Sequence, residues 1–185
     1  MTLPIGSKLE RKKLQNGIFV LGGAASGKSE WAEKMTESYG LPMTYIATGQ
    51  IFDAETEKRV KVHQMRRDAR WTTYESPLDP ADTLRTLAPD TVVLIDCATM
   101  WLNNHMMAGS DLDRAQDALL SGLHHCPAPW IIVSNEVGHG IVPQNALARQ
   151  FRNAQGRLNI ALAAQADVVV NVIAGLPQVL KGTLP

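Results

Sequence analysis

The sequence predicts an α/β fold: a mainly parallel sheet with helices on both faces and a short antiparallel edge at its C-terminal end. Three observations carry that expectation. Apolar runs of strand length alternate with stretches of helical spacing along most of the chain. The first run, Gly17 to Leu21, empties into Gly22-Gly23-Ala24-Ala25-Ser26-Gly27-Lys28-Ser29, which fits G-x-x-x-x-G-K-[ST] and leads into a helical stretch from Glu30 to Ser38. A later run, Thr91 to Ile95, ends in a carboxylate, Asp96, the form of a Walker B strand.

The first motif is a phosphate cradle for physical reasons. Glycines allow a tight turn that points several backbone N–H groups at one anion. The helix that follows adds the partial positive charge of its N-terminus. Lys28 reaches the β- and γ-phosphates as a point charge, and Ser29 and Asp96 are placed to hold or orient Mg²⁺. The glycine spacing is not G-x-G-x-x-G, which argues against a dinucleotide site.

Composition narrows the class. A chain of 185 residues is long enough for one domain with a substantial core. Lys plus Arg, at 18, equals Asp plus Glu, at 18, so no global field draws nucleic acid or a membrane surface. Cys97 and Cys126 lack metal-type spacing and read as two thiols of a reducing compartment. No apolar run spans a bilayer, and the basic N-terminus has no apolar stretch behind it, so a soluble cytoplasmic protein is expected. Residues 1–16 read as a flexible lead-in and residues 17–185 as a single P-loop α/β domain.

The first helix carries Trp31, Ala32, Met35 and Tyr39 inward, and Gly40 stops it. Met43 to Thr48 is a second strand, and Thr48, Gly49 and Gln50 fall at its carboxyl end, where α/β sheets collect ligands. A charged helix is expected from about Ala54. On it Arg59, His63 and Arg66 or Arg67 share one side. Cations disfavour protonation of the imidazole, so His63 is either a nucleophile toward phosphorus flanked by phosphate-holding arginines or a histidine on a basic surface.

Trp71 to Glu75 alternates as a short strand, and a helix is expected from about Ala81 to Leu87, closed by Pro89. Cys97 to Met107 reads as a helix or loop whose apolar side chains line a substrate pocket, the core or an oligomer interface. Asp111 to His125 is an amphipathic helix with a stripe of Leu112, Ala115, Leu119, Leu120 and Leu123, capped by Ser110 or Asp111. Pro129 to Ser134 is a strand, and the loop after it, Asn135 to Pro143, holds more polar and glycine residues than a connector needs. A helix from Asn145 to Gln165 carries Arg149, Arg152 and Arg157, with Gly156 expected to allow close packing. Asp167 to Ile173 is the last long strand, Gly175-Leu176-Pro177 a turn, and Gln178 to Lys181 a short antiparallel return.

Assembled in order, these motifs resemble the bifunctional adenosylcobinamide kinase / adenosylcobinamide-phosphate guanylyltransferase family of cobalamin biosynthesis. The resemblance runs from about Gly17 over nearly all of the chain. It rests on Gly22 to Ser29, Tyr45-Ile46-Ala47-Thr48, Arg59-Val60-x-x-His63, Trp71-x-x-x-Glu75 and Leu94-Ile95-Asp96-Cys97. The most specific parts are Asn135-Glu136-Val137-Gly138-x-Gly140-Ile141-Val142-Pro143 and Phe151-Arg152-x-x-x-Gly156-Arg157-Leu158-Asn159.

The resemblance implies a RecA-like P-loop sheet, a trimer and two reactions. ATP or GTP phosphorylates the aminopropanol hydroxyl of (adenosyl)cobinamide, and GTP then gives GMP, through a guanylyl-histidine, to the cobinamide phosphate. It places the guanylylated histidine at His63. It places nucleotide contacts on the P-loop, on the turn of Thr48, Gly49 and Gln50, and on Glu75 and Asp96. Two departures stand out: Ala25 where the family commonly has Arg, for which Arg66 is a candidate replacement, and a lead-in longer than usual. The two reactions attack different phosphorus atoms, so either the helix bearing His63 moves or the nucleotide rebinds. The competing expectations are a P-loop small-molecule kinase without a covalent intermediate and a non-enzymatic RecA-like switch or assembly subunit.

Overall fold

The computed structural model describes residues 17–50 and 67–185. Seven strands form one sheet in the order β3-β2-β4-β5-β1-β6-β7. They are β1 (Gly17–Gly22), β2 (Met43–Ala47), β3 (Trp71–Glu75), β4 (Val92–Asp96), β5 (Trp130–Asn135), β6 (Val168–Ile173) and β7 (Leu176–Lys181). The described helices are α1 (Lys28–Ser38), α2 (Pro80–Thr86), α3 (Ala98–Met107), α4 (Leu112–His124) and α5 (Ala146–Gln165). All pairings are parallel except β6 with β7. The mainly parallel sheet with an antiparallel C-terminal edge is therefore the architecture the sequence predicts.

Period-two alternation sorts the strand residues into two cores. Ile18, Val20, Met43, Tyr45, Val92, Leu94, Ile131 and Val133 pack on the face that α1 covers. Phe19, Ile46, Val93, Ile95, Trp130 and Ile132 pack on the other, against α2, α3, α4 and α5. Strands buried on both faces read as continuous apolar runs, which is why β1, β4, β5 and β6 were legible. Close packing also fixes Gly17, where a Cβ would lie 2.3 Å from the Trp130 ring.

Helix ends follow their caps. The Asp111 side chain accepts from Asp113 N and Arg114 N, and the Asn145 side chain accepts from Leu147 N and Ala148 N. Gly40, at φ 65°, takes the left-handed conformation that ends α1. Two details differ from expectation. The β6–β7 turn is Ala174-Gly175, both left-handed, so β7 begins at Leu176 and runs through Pro177. Proline is tolerated there because β7 is an edge strand with an unpaired side. Gly156 permits no close approach: a Cβ there would meet nothing within 4 Å.

Candidate functional site

The sequence from Gly22 to Ser29 bends back on itself at the carboxyl end of β1. Ser26 N donates to Gly23 O at 3.3 Å, and Gly27, at φ 88°, turns the chain into α1. Neighbouring strands hold this loop through backbone groups. Glu136 N donates to Gly22 O at 3.0 Å, and Gly175 N, at the tip of the β6–β7 turn, donates to Ser26 O at 2.8 Å. A Cβ on Gly22 would lie 2.5 Å from Ser26 Oγ and 2.7 Å from Val172 O, so only glycine fits the first position. Gly23, Ala24 and Ala25 are exposed on the outer turn, and Ala25 sits at φ 54°.

Lys28 and Ser29 open α1. Lys28 Nζ donates to Gly23 O at 3.1 Å, closing the loop over its own backbone. Burial lowers the ammonium below the ordinary lysine value, while the Cys97 and Asp96 side chains pull it back up. Lys28 therefore lies within electrostatic reach of the end of β4. The Asp96 strand is not the immediate neighbour of the P-loop strand: β5 stands between them. Alternation nevertheless puts Asp96 on the α1 face with Val92 and Leu94. The Asp96–Cys97 peptide is cis, and burial pushes the Cys97 thiol up to about 12.

One register row crosses the rim: Glu75 opposite Ala47, Ala47 opposite Asp96, and Asp96 opposite Val133. Glu75 and Asp96 are thus two strands apart at the same level, with Glu75 exposed on the edge strand. Thr48 is fully buried, and its hydroxyl donates to Cys97 O while accepting from Cys97 N, both at 2.7 Å. Its side chain braces the turn after Asp96, whereas Gly49 and Gln50 are exposed. The Arg67 guanidinium lies 3.6 Å over the Tyr45 ring, two residues short of the rim on β2. Arg59, His63 and Arg66 lie outside the described residues.

Two side-chain assemblies behind the rim were not read from the sequence. In the first, α3 grips the loops after β2 and β3. Asn104 Nδ2 donates to Thr48 O at 2.8 Å and Pro77 O at 3.0 Å, and Trp101 Nε1 donates to Leu78 O at 2.8 Å. His105 Nε2 also meets Leu78 O, at 3.0 Å. In the second, Ser134, Gln155 and Asn159 form a buried knot: Ser134 Oγ donates to Asn159 Oδ1, and Gln155 Nε2 donates to both. The only sequence signal was carboxamides placed among buried apolar positions. Of the apolar α3 residues, Trp101 and Leu102 belong to the core. Met106 and Met107 instead join Leu147 and Phe151 around a groove of about 310 Å³.

The rim therefore holds an anion cradle, a cation and two carboxylates on one face, the parts a nucleoside triphosphate needs. Comparison with known proteins agrees. Residues 18–180 match the family described as cobinamide kinase / cobinamide phosphate guanyltransferase. The bifunctional adenosylcobalamin biosynthesis protein CobP of Pseudomonas aeruginosa is 43% identical over 166 residues, 88% of this chain and 96% of that protein. The bifunctional adenosylcobalamin biosynthesis protein CobU of Salmonella typhimurium is 41% identical over 181 residues, 89% of this chain and 99% of that protein.

Among solved structures, a prototypical ATPase from the type III secretion system of pathogenic bacteria superposes with a TM-score of 0.60 at 13% identity. The match covers 89% of this chain and 56% of that ATPase, so it speaks for the P-loop fold alone. The family match spans nearly the whole described sheet and both P-loop and Asp96 strands: the chain belongs to the cobinamide kinase / cobinamide phosphate guanyltransferase family.

Proposed function

We propose that this protein is a bifunctional transferase of cobalamin biosynthesis that works through one rim. The observation that carries the reading is the family match across residues 18–180, a span that takes in the P-loop with Lys28 and the strand ending in Asp96. In the kinase reaction the aminopropanol hydroxyl of (adenosyl)cobinamide attacks the γ-phosphorus of ATP or GTP, and the nucleoside diphosphate leaves. The P-loop N–H groups and Lys28 hold the phosphates as charge shifts toward the leaving oxygen.

In the second reaction the His63 imidazole attacks the α-phosphorus of GTP and pyrophosphate leaves. A phosphate oxygen of cobinamide phosphate then displaces the imidazole, giving GDP-cobinamide. Arg59, Arg66 and Arg67 are proposed phosphate partners on the sequence spacing alone, with Gly49, Gln50 and Glu75 completing the nucleotide rim; Thr48, fully buried, serves by bracing the turn after Asp96 and not as a nucleotide contact.

Ser29 and Asp96 offer hard oxygen donors at the ends of neighbouring elements, which suits Mg²⁺ better than a softer metal. Held by Ser29 and Asp96, Mg²⁺ would supply positive charge to offset the negative charge of the nucleotide phosphates. Further parts of the reading are a single domain over residues 17–185, a cytoplasmic location and a homo-oligomer, a trimer by family resemblance. Exposed Leu176, Val179 and Leu180 on the β7 edge support the oligomer.

The test is product formation. Incubated with cobinamide, Mg²⁺ and ATP, the protein yields cobinamide phosphate, and addition of GTP converts that to GDP-cobinamide. Nucleotide hydrolysis without either corrinoid product would overturn the reading.

A further inference from the structure

Two helices beside the rim leave an open groove between them. α3 starts at the strand ends: Thr99 Oγ1 accepts from Asn135 N at 2.8 Å, level with Gly22 of the P-loop strand. Further on, Asn104 Nδ2 holds the carbonyls of Thr48 and Pro77, which follow β2 and β3. α3 therefore runs along the rim and not down the sheet. α5 comes level with the rim only in its second half, where Asn159 Nδ2 donates to Asn135 O at 3.1 Å. Its first half, which begins at Ala146, extends past the strand ends by up to about 20 Å. Met106, Met107, Leu147 and Phe151, with the carboxamides of Asn103 and Asn145, line the groove of about 310 Å³ between these two stretches. Among the described residues, none of those that line it is charged. Met107 is 65% and Leu147 49% exposed, so both stand open to a ligand.

We propose that this groove seats the corrin macrocycle of the acceptor, the part that does not react, in both reactions. The inference rests on the bifunctional reading above. A cobinamide is a broad, mostly apolar ring edged with neutral carboxamides. The groove matches it in kind: thioether, leucine and phenylalanine surface for the ring, and two side-chain amides for its edge. Asn145 Oδ1 is occupied by the α5 cap, which leaves its Nδ2 as the donor. The same lining offers a triphosphate no cation, so the groove tells acceptor from nucleotide. Position agrees with chemistry. Asn103 and Met107 lie about 6 and 12 Å along α3 from Thr99. One strand spacing, about 4.8 Å, then separates β5 from the P-loop strand. An amide-linked aminopropanol arm bridges that span, so ring and hydroxyl are held at once. The loop after β5 joins the two places. Glu136 N bonds Gly22 O at the P-loop, and Arg149 Nη1 fixes the far end by donating to Pro143 O and Gln144 O. Binding energy from the unreactive ring thus positions first the hydroxyl and later the phosphate.

The experiment compares the wild-type protein with Met107→Leu and with the double variant Met107→Glu/Leu147→Glu. Both positions are exposed, so neither change disturbs the core. Phosphorylation of cobinamide by γ-labelled ATP is followed while each substrate is varied in turn. Protein-bound label from α-labelled GTP is counted without corrinoid, and sedimentation velocity gives the mass of each protein. Two carboxylates in the groove are expected to raise KM for cobinamide at least about tenfold, the scale on which an apolar pocket discriminates small changes of fit. KM for ATP, the label retained and the sedimenting mass stay at wild-type values, and Met107→Leu behaves as wild type throughout. An unchanged KM for cobinamide in the double variant overturns the proposal. So does a smaller sedimenting species, which assigns the groove to an interface between copies of the chain. In either case wild-type phosphorylation stands, and the bifunctional reading with it. A wild-type protein that forms neither corrinoid product overturns that reading and the inference together.

Discussion

The two halves of the rim are built by different means. At the P-loop, backbone holds backbone: Gly175 N to Ser26 O, Glu136 N to Gly22 O and Ser26 N to Gly23 O. At the other half, side chains of one helix hold the backbone of distant loops: Asn104 on Thr48 and Pro77, Trp101 and His105 on Leu78. A backbone-built cradle keeps its side chains free for ligand, so Lys28 can be spent on phosphate. A side-chain-built latch has no such freedom, because each group is committed to carrying the fold. Removing a side chain should therefore cost activity at the first and stability at the second.

The largest effect is expected from Lys28→Ala. The lysine bonds only Gly23 O among the described residues, so unfolding by denaturant should be nearly unchanged. Phosphorylation should fall by about 10³-fold, the upper range for loss of one charge-stabilising donor. A large stability loss instead would mean that the cradle is not backbone-held.

Asn104→Ala breaks the comparison from the other side. It strips a donor from two loop carbonyls, and a denaturant titration should record a loss of about 2 kcal/mol. Nucleotide affinity, measured by titration on the folded protein, should change less than in Lys28→Ala. The opposite ranking would place Asn104 at the ligand.

Gly175→Ala tests the brace of the cradle. A Cβ there meets no atom within 4 Å, so the cost is that of a left-handed residue at φ 77°, about 1 kcal/mol. Because Gly175 N holds Ser26 O, nucleotide affinity should weaken as well, which isothermal titration can record.

The smallest effect is on pH dependence. Burial holds the Lys28 ammonium below the ordinary lysine value of 10.5, so the unfolded chain binds the proton more tightly than the folded one. Between the folded value and 10.5, this group's contribution makes the ligand-free protein more stable as pH rises. Phosphate affinity falls in the same window because the charge is lost. Lys28→Met should remove both slopes.

The contrast also explains what the sequence disclosed. The cradle is local, eight consecutive residues with required glycines, and the motif announces it. The carboxylate of Asp96 was legible because an apolar run has to end somewhere, and it ends at the rim. The latch joins residues 27 and 56 positions apart, and nothing local in Asn104 says which carbonyls it will meet. Thr48 was read as a ligand contact from its place at a strand end. Place alone did not foretell that its hydroxyl is committed to the Cys97 backbone. The β6–β7 turn was misplaced by a residue or two because Ala174 adopts a left-handed conformation, at φ 52°, without the glycine or asparagine that usually marks one.

The most direct test of the account is retention of label by the protein itself. The protein is incubated with Mg²⁺ and GTP labelled in the α-phosphate, denatured and counted, beside γ-labelled GTP and a His63→Ala variant. The account predicts that α-label alone is retained, that it survives base and is released by acid, and that His63→Ala retains none. Equal retention by His63→Ala, or no retained label in the wild-type protein, would contradict it.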